Sequence, residues 1–150
     1  MLKGIIFDFD GVITESVHIK SEAFAELYAP YGESLVQKVV KDHQRNEVGL
    51  SRFELFRYYH KKYLNIDISK LNEKKLISQF SKLVINKIIQ AHYVNGVIEY
   101  INNCFNYYKL FISTGSPTDE IKIILKKKRL IIILQMFMDL QITNQHILIK

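Results

Sequence analysis

Two aspartates, Asp8 and Asp10, stand two residues apart at the end of a short apolar run, in Phe7-Asp8-Phe9-Asp10-Gly11-Val12-Ile13-Thr14-Glu15-Ser16. If extended pairing continued through them, both carboxylates would face the same side. Carboxylates that close repel each other, so the pair invites a divalent cation, and hard oxygen ligands favour Mg²⁺. One carboxylate can then attack phosphorus while its neighbour moves protons. Gly11 lets the backbone turn sharply and approach a ligand. A bare Asp-x-Asp is more often a pair of solvated loop residues. Here the apolar strand before it and the Gly-Val-Ile-Thr-Glu-Ser after it make the signal stronger than that.

A second candidate segment is Leu110-Phe111-Ile112-Ser113-Thr114-Gly115-Ser116-Pro117. It reads as a short strand over Lys109 to Ser113 and a turn that leads into a helix. Ser116 is expected to cap that helix and Pro117 to take its first position, with Asp119 and Glu120 in the first turn. The helix is expected to reach about Arg129. Its positive end would point towards an anion. Taken alone, Ser-Thr-Gly-Ser-Pro is only a capped turn.

The elements that must position these residues follow from the hydrophobic pattern. Lys3 to Phe9 is β-branched and aromatic and reads as a buried strand ending at the carboxylates. From Ser16 to about Ala91 the pattern is helical. Ala23, Phe24, Leu27 and Tyr28 share a helix face that Pro30-Tyr31-Gly32 ends. Further helices are expected over Leu35 to His43, Ser51 to Tyr63 and Glu73 to about Gln90. Ser51 with Glu54 makes a capping box. Phe53, Phe56, Tyr59 and Tyr63 then fall near one face, which reads as packing between helices. Gly96 to Cys104 is a further helix. Strand, helical block, helix, strand, helix indicates an α/β core with parallel strands. The block is too long for a simple crossover and reads as an all-α insert. The expected division is residues 1–15 with 92–150 as core, and 16–91 as insert.

The chain has 150 residues, 48% hydrophobic and 24% charged, which argues for a folded globular chain and against disorder. Its net charge is +6, but the basic residues are scattered apart from Lys126-Lys127-Lys128-Arg129. With no zinc spacing and no aromatic RNA-binding motif, nucleic acid is not an expected partner. Without an apolar run long enough to span a bilayer, neither is a membrane. The single cysteine, Cys104, excludes an internal disulfide and fits a reducing cytoplasm. Lone His18 and His43, and Lys20, read as surface or structural residues.

The segment Ile5-Ile6-Phe7-Asp8-Phe9-Asp10-Gly11-Val12-Ile13-Thr14 resembles the first motif of the haloacid dehalogenase superfamily, especially its phosphatase-like members with a helical cap of the C1 type. The resemblance implies a Rossmann-like core with residues 16–91 as the cap. It implies Asp8 as the nucleophile that becomes an aspartyl-phosphate, and Asp10 as general acid and base. Both would serve the Mg²⁺ site, Asp10 through its backbone carbonyl. The family's second motif, a Ser or Thr after the second strand, falls on Thr114 in preference to Ser113, with Ser113 and Gly115 beside the phosphoryl group. Val48-Gly49-Leu50-Ser51-Arg52-Phe53-Glu54 is similar to a cap segment that reaches the active site, where Arg52 could hold an anionic group of the substrate. A small phosphorylated metabolite is the implied partner.

The resemblance covers residues 1 to about 129. Where the family carries a third-motif Lys, this chain reads Ile142-Thr143-Asn144-Gln145-His146, and the final acidic motif is not found. The family's later strand pairs beside the first. Without it that edge would be open, and the apolar run Leu130 to Met138 is the candidate to cover part of it. Loss of one preorganised electrostatic group costs on the order of a hundredfold in rate. The expectation is a copy truncated or frame-disrupted near its C-terminus, with Lys126-Lys127-Lys128 marking an A-rich stretch. The implied activity is a Mg²⁺-dependent phosphatase of small phosphomonoesters. The alternatives are an impaired homologue acting as a binding or regulatory module, and a phosphomutase. Reading the downstream DNA tests the truncation: a frame encoding Gly-x-x-Lys followed by an acidic pair supports it, and no such frame contradicts it.

Overall fold

The computed structural model describes residues 4–45, 50–130 and 136–139. The chain divides into two compact units, residues 1–17 with 88–150 and residues 18–87.

The first unit is built on a parallel three-stranded sheet in the order β1 (Gly4–Asp8), β2 (Lys109–Thr114), β3 (Met136–Asp139). Isoleucine and phenylalanine suit both strands of the β1–β2 pair, because branched and aromatic side chains pack well on a pleated surface. The register puts Phe7 opposite Ile112 and Asp8 opposite Ser113. Side chains alternate along a strand, so Phe7 and Ile112 share a buried face while Asp8 and Ser113 share the other. Among the described residues two helices lie wholly in this unit. In α5 (Val97–Cys104), Val97 and Ile101 are buried, and in α6 (Thr118–Lys127), Ile121, Ile124 and Leu125 are. Tyr100 of α5 meets the Phe7 ring edge-on at 6.1 Å between centroids.

The second unit is helical: α1 (Ile19–Tyr28), α2 (Glu33–Arg45), α3 (Arg52–Tyr59) and most of α4 (Lys70–Gln90). Its core is aromatic. Phe24 lies 4.6 Å from Phe80, 5.2 Å from Phe56 and 5.5 Å from Tyr59, ring centroid to ring centroid. The Ser51 capping box forms as the sequence predicts, with Glu54 accepting from the Ser51 backbone N–H at 3.0 Å. No helix among the described residues is long and apolar enough to cross a membrane.

Several elements depart from the sequence reading. Ser116 does not cap α6. Pro117 takes that position with ψ of 142°, outside helical geometry, and Thr118 is the first helical residue. The helix ends at Lys127, and Arg129 adopts a left-handed φ of 59°. The expected long third helix stops as α-helix at Tyr59 and closes with one π-type turn, His60–Leu64, ended by left-handed Asn65. In the expected aromatic stripe, Phe56 and Tyr59 are buried but Phe53 is exposed. Of the apolar run at 130–138, residues 131–135 lie outside the described residues. Its last three residues belong to β3, which pairs with β2 on the side away from β1. Among the described residues the outer edge of β1 has no strand partner, and Ile6 is 58% exposed.

His60 is buried in the helical unit, with Nδ1 2.8 Å from the Tyr28 hydroxyl and 2.9 Å from the Phe56 carbonyl oxygen. Burial pushes its imidazole below the ordinary value of 6.5, only partly opposed by the hydrogen bond to Phe56. The folded chain therefore holds His60 neutral, while the unfolded chain binds a proton there as pH falls below 6.5. This contribution is complete above that value and is lost as pH falls from it towards the lower folded value. Thermal unfolding followed by circular dichroism should show a midpoint that drops between about pH 7 and about pH 5.5. The drop should shrink in His60→Gln, and an unchanged slope in that variant would contradict the assignment.

Candidate active site

β1 ends at Asp8, and the chain then turns instead of continuing the sheet. Extended pairing does not continue through Asp10, and a strapped loop follows the strand. The Phe9 carbonyl accepts from the N–H groups of both Ile13 (3.0 Å) and Thr14 (3.2 Å), and Gly11 N–H donates to the Thr14 carbonyl at 2.7 Å. Gly11 sits at φ +79°, where a side chain is strained, and an added Cβ would meet Val17 Cγ2 at 2.6 Å. The loop is fixed from outside as well. Glu15 N–H donates to the His92 carbonyl at 3.0 Å, and Val94 N–H donates to the Ile13 carbonyl at 3.1 Å. The 91–94 segment is held in turn. The Tyr93 hydroxyl donates to the Lys128 carbonyl at 2.7 Å, and Lys128 Nζ donates to the Ala91 carbonyl at 2.6 Å. Burial lowers the Lys128 ammonium below its ordinary range.

Within this frame Asp8 Oδ1 accepts the Phe9 N–H at 2.7 Å. Asp10 Oδ1 accepts the Ser16 hydroxyl at 2.5 Å, and Ser16 Oγ lies 2.9 Å from Thr14 Oγ1. Asp8 is paired across the sheet with Ser113, and Thr114 follows at the same strand end. Thr114 is 2% exposed, and its Oγ1 accepts the Ser116 N–H at 3.1 Å. Ser116 Oγ is buried without a hydrogen-bond partner among the described residues. Gly115 has nothing within 4 Å of where a Cβ would stand.

The sheet thus gathers Asp8, Asp10, Ser113, Thr114 and Gly115 at the C-terminal ends of β1 and β2, where open α/β sheets place ligands. Arg52 belongs to the helical unit, where its guanidinium lies over the Phe80 ring at 5.5 Å from the centroid. Thr14 and Ser16, both buried, were not singled out from sequence. A hydroxyl six residues from an acid gives no signal until the loop between them is known to fold back. β3 ends at Asp139, in register with Thr114.

The donors at this end are hard oxygens: two carboxylates and the carbonyl of Asp10. That set fits Mg²⁺ in chemical type, because Mg²⁺ commonly takes one or two carboxylates and keeps water in its remaining positions. Among the described residues no group of three or more His, Cys, Asp or Glu is placed to hold a metal ion.

The family model for haloacid dehalogenase-like hydrolases matches residues 5–146. No curated protein matches the chain. Among solved structures, a candidate β-phosphoglucomutase of Thermotoga maritima is similar at 23% identity and TM-score 0.66, over 97% of this chain and 64% of its own. A candidate phosphoglycolate phosphatase of Haemophilus somnus is similar at 14% identity and TM-score 0.66, over 96% of this chain and 65% of its own. The candidate hydrolase YfnB of Bacillus subtilis, in a magnesium-bound form, is similar at 14% identity and TM-score 0.64, over 91% of this chain and 64% of its own. At these identities the likeness is one of fold. The chain spans just under two thirds of the length of these structures.

Gly11→Ala should destabilise the chain by about 1–2 kcal/mol, since alanine carries the left-handed penalty at this φ. Urea unfolding checks this, and an unchanged midpoint would contradict the role given to the turn.

Proposed function

The chain belongs to the haloacid dehalogenase-like hydrolase family, and from that premise we propose that it is a phosphatase that hydrolyses a small phosphomonoester through a covalent intermediate on Asp8. The observation that carries the reading is the placement of Asp8 at the end of β1, opposite Ser113, with Asp10 held in the strapped loop beside it. A carboxylate needs no proton removed before it attacks, and a neighbouring acid that gives up a proton makes a poor leaving group a good one.

In this reading an Asp8 oxygen attacks phosphorus as the ester bond to the leaving oxygen breaks, and Asp10 supplies that oxygen's proton. Asp10, now ionised, takes a proton from a water molecule that attacks the aspartyl-phosphate, which releases inorganic phosphate and restores both groups. Thr114, with Ser113 and Gly115 beside it, holds the phosphoryl oxygens. The hydroxyl that shares the sheet face of Asp8 is Ser113, and Thr114 is the choice that the family resemblance favours. Asp8 and the Asp10 carbonyl would hold Mg²⁺, which when bound neutralises phosphoryl charge. The helical unit serves as the cap, and Arg52 binds an anionic group of the substrate.

A phosphomutase is the second reading. It is favoured by the likeness to the candidate β-phosphoglucomutase, since an aspartyl-phosphate can pass its phosphoryl group to a sugar hydroxyl instead of water. Release of phosphate from p-nitrophenyl phosphate with Mg²⁺ tests the proposal. Turnover should fall to background in Asp8→Asn and on chelation of the metal. Turnover indifferent to Asp8→Asn would reject it, and a chain that folds but shows no turnover would favour a non-catalytic module.

A further inference from the structure

The geometry points to Ser16 as the residue that positions Asp10, with Thr14 donating in turn to Ser16; this rests on the assignment of Asp10 as the acid and base. Ser16 is 1% exposed and Thr14 is fully buried, so neither hydroxyl has bulk water as an alternative partner. Each hydroxyl carries one proton. The Ser16 hydroxyl donates to Asp10 Oδ1 across the 2.5 Å contact, so its one proton points there. Ser16 Oγ must then accept from Thr14 Oγ1 across their 2.9 Å contact, which gives one chain of donation, Thr14 to Ser16 to Asp10.

The chain is anchored to backbone that cannot easily shift. Ser16 N–H donates to the Thr14 carbonyl at 2.8 Å, and Thr14 itself bridges to Tyr93. A side chain held in this way has its χ1 restricted, and an acid must lie within hydrogen-bond reach of the atom it protonates. Ser16 neither gains nor loses a proton over the reaction. It acts through Asp10 by holding its carboxyl where the leaving oxygen will be.

The test uses Ser16→Ala and Ser16→Thr in the full chain, with two esters that differ in their need for an acid. An alkyl phosphate has a leaving oxygen that must be protonated, whereas a dinitrophenyl phosphate leaves without help. Ser16→Ala should lower kcat/KM for the alkyl ester by about tenfold or more. The dinitrophenyl ester should lose less than about threefold, and Ser16→Thr should restore the alkyl ester. Equal losses on both esters, or no rescue by threonine, would overturn the proposal. Should Ser16→Ala not fold, Ser16→Cys takes its place.

A measurement that needs no turnover separates this proposal from the assignment it rests on. Three-bond couplings between Hα and Hβ of Asp10 should report one χ1 rotamer in the parent chain and averaging in Ser16→Ala. A single unchanged rotamer in both would overturn the role of Ser16 even in an active enzyme. Absence of turnover in the parent chain, with the rotamer freed by Ser16→Ala, would overturn the phosphatase reading and leave the role of Ser16 standing.

Discussion

The site depends on the backbone turn that follows β1 and carries Asp10 back to Ser16. After Asp8 the carbonyl of Phe9 takes two N–H donors, and Gly11 reverses the chain through a conformation that other residues resist. Without this turn the strand would run on. With it, Asp10 is drawn back against Ser16 while Asp8 stays on the sheet. Each carboxyl is met by a donor built into the loop, the Phe9 N–H for Asp8 and the Ser16 hydroxyl for Asp10. Hydrogen bonds to a charged acceptor are among the stronger ones in proteins.

The rest of the first unit makes that loop rigid. The 91–94 segment lies against it through the Glu15–His92 and Ile13–Val94 backbone bonds, and Lys128 ties the same segment to the end of α6. Helix, crossing segment and loop therefore form one hydrogen-bonded series that ends at the carboxylates. Sheet register supplies the remaining alignment, since parallel pairing of β1 with β2 fixes Ser113 opposite Asp8 through the backbone. Phe7 and Ile112 on the sheet and Ile121 and Ile124 on α6 are all buried apolar residues.

Much of this was legible in the residues. The β-branched run before Asp8, the capping box at Ser51 and the aromatic positions Phe24, Phe56 and Phe80 each carry a local signal, periodicity or cap chemistry, that tertiary structure did not override. What escaped had no local signal. β3 has four residues, and a short apolar run does not distinguish strand from helix. Ser116 reads as a cap because serine before proline usually is one, yet the extended ψ of Pro117 moves the helix start on by one residue. The Thr14–Ser16–Asp10 chain exists only once the loop has folded, so spacing alone could name the acids but not the hydroxyls that hold them.

The account as a whole turns on covalent chemistry at the end of β1. Borohydride reduces an acyl phosphate on aspartate to homoserine, which peptide mass spectrometry locates without reference to substrate identity. Treatment of the chain during turnover of a phosphomonoester should convert Asp8, and no other acid, to homoserine. Conversion at a different acid, or sustained turnover with Asp8 never modified, would contradict the account.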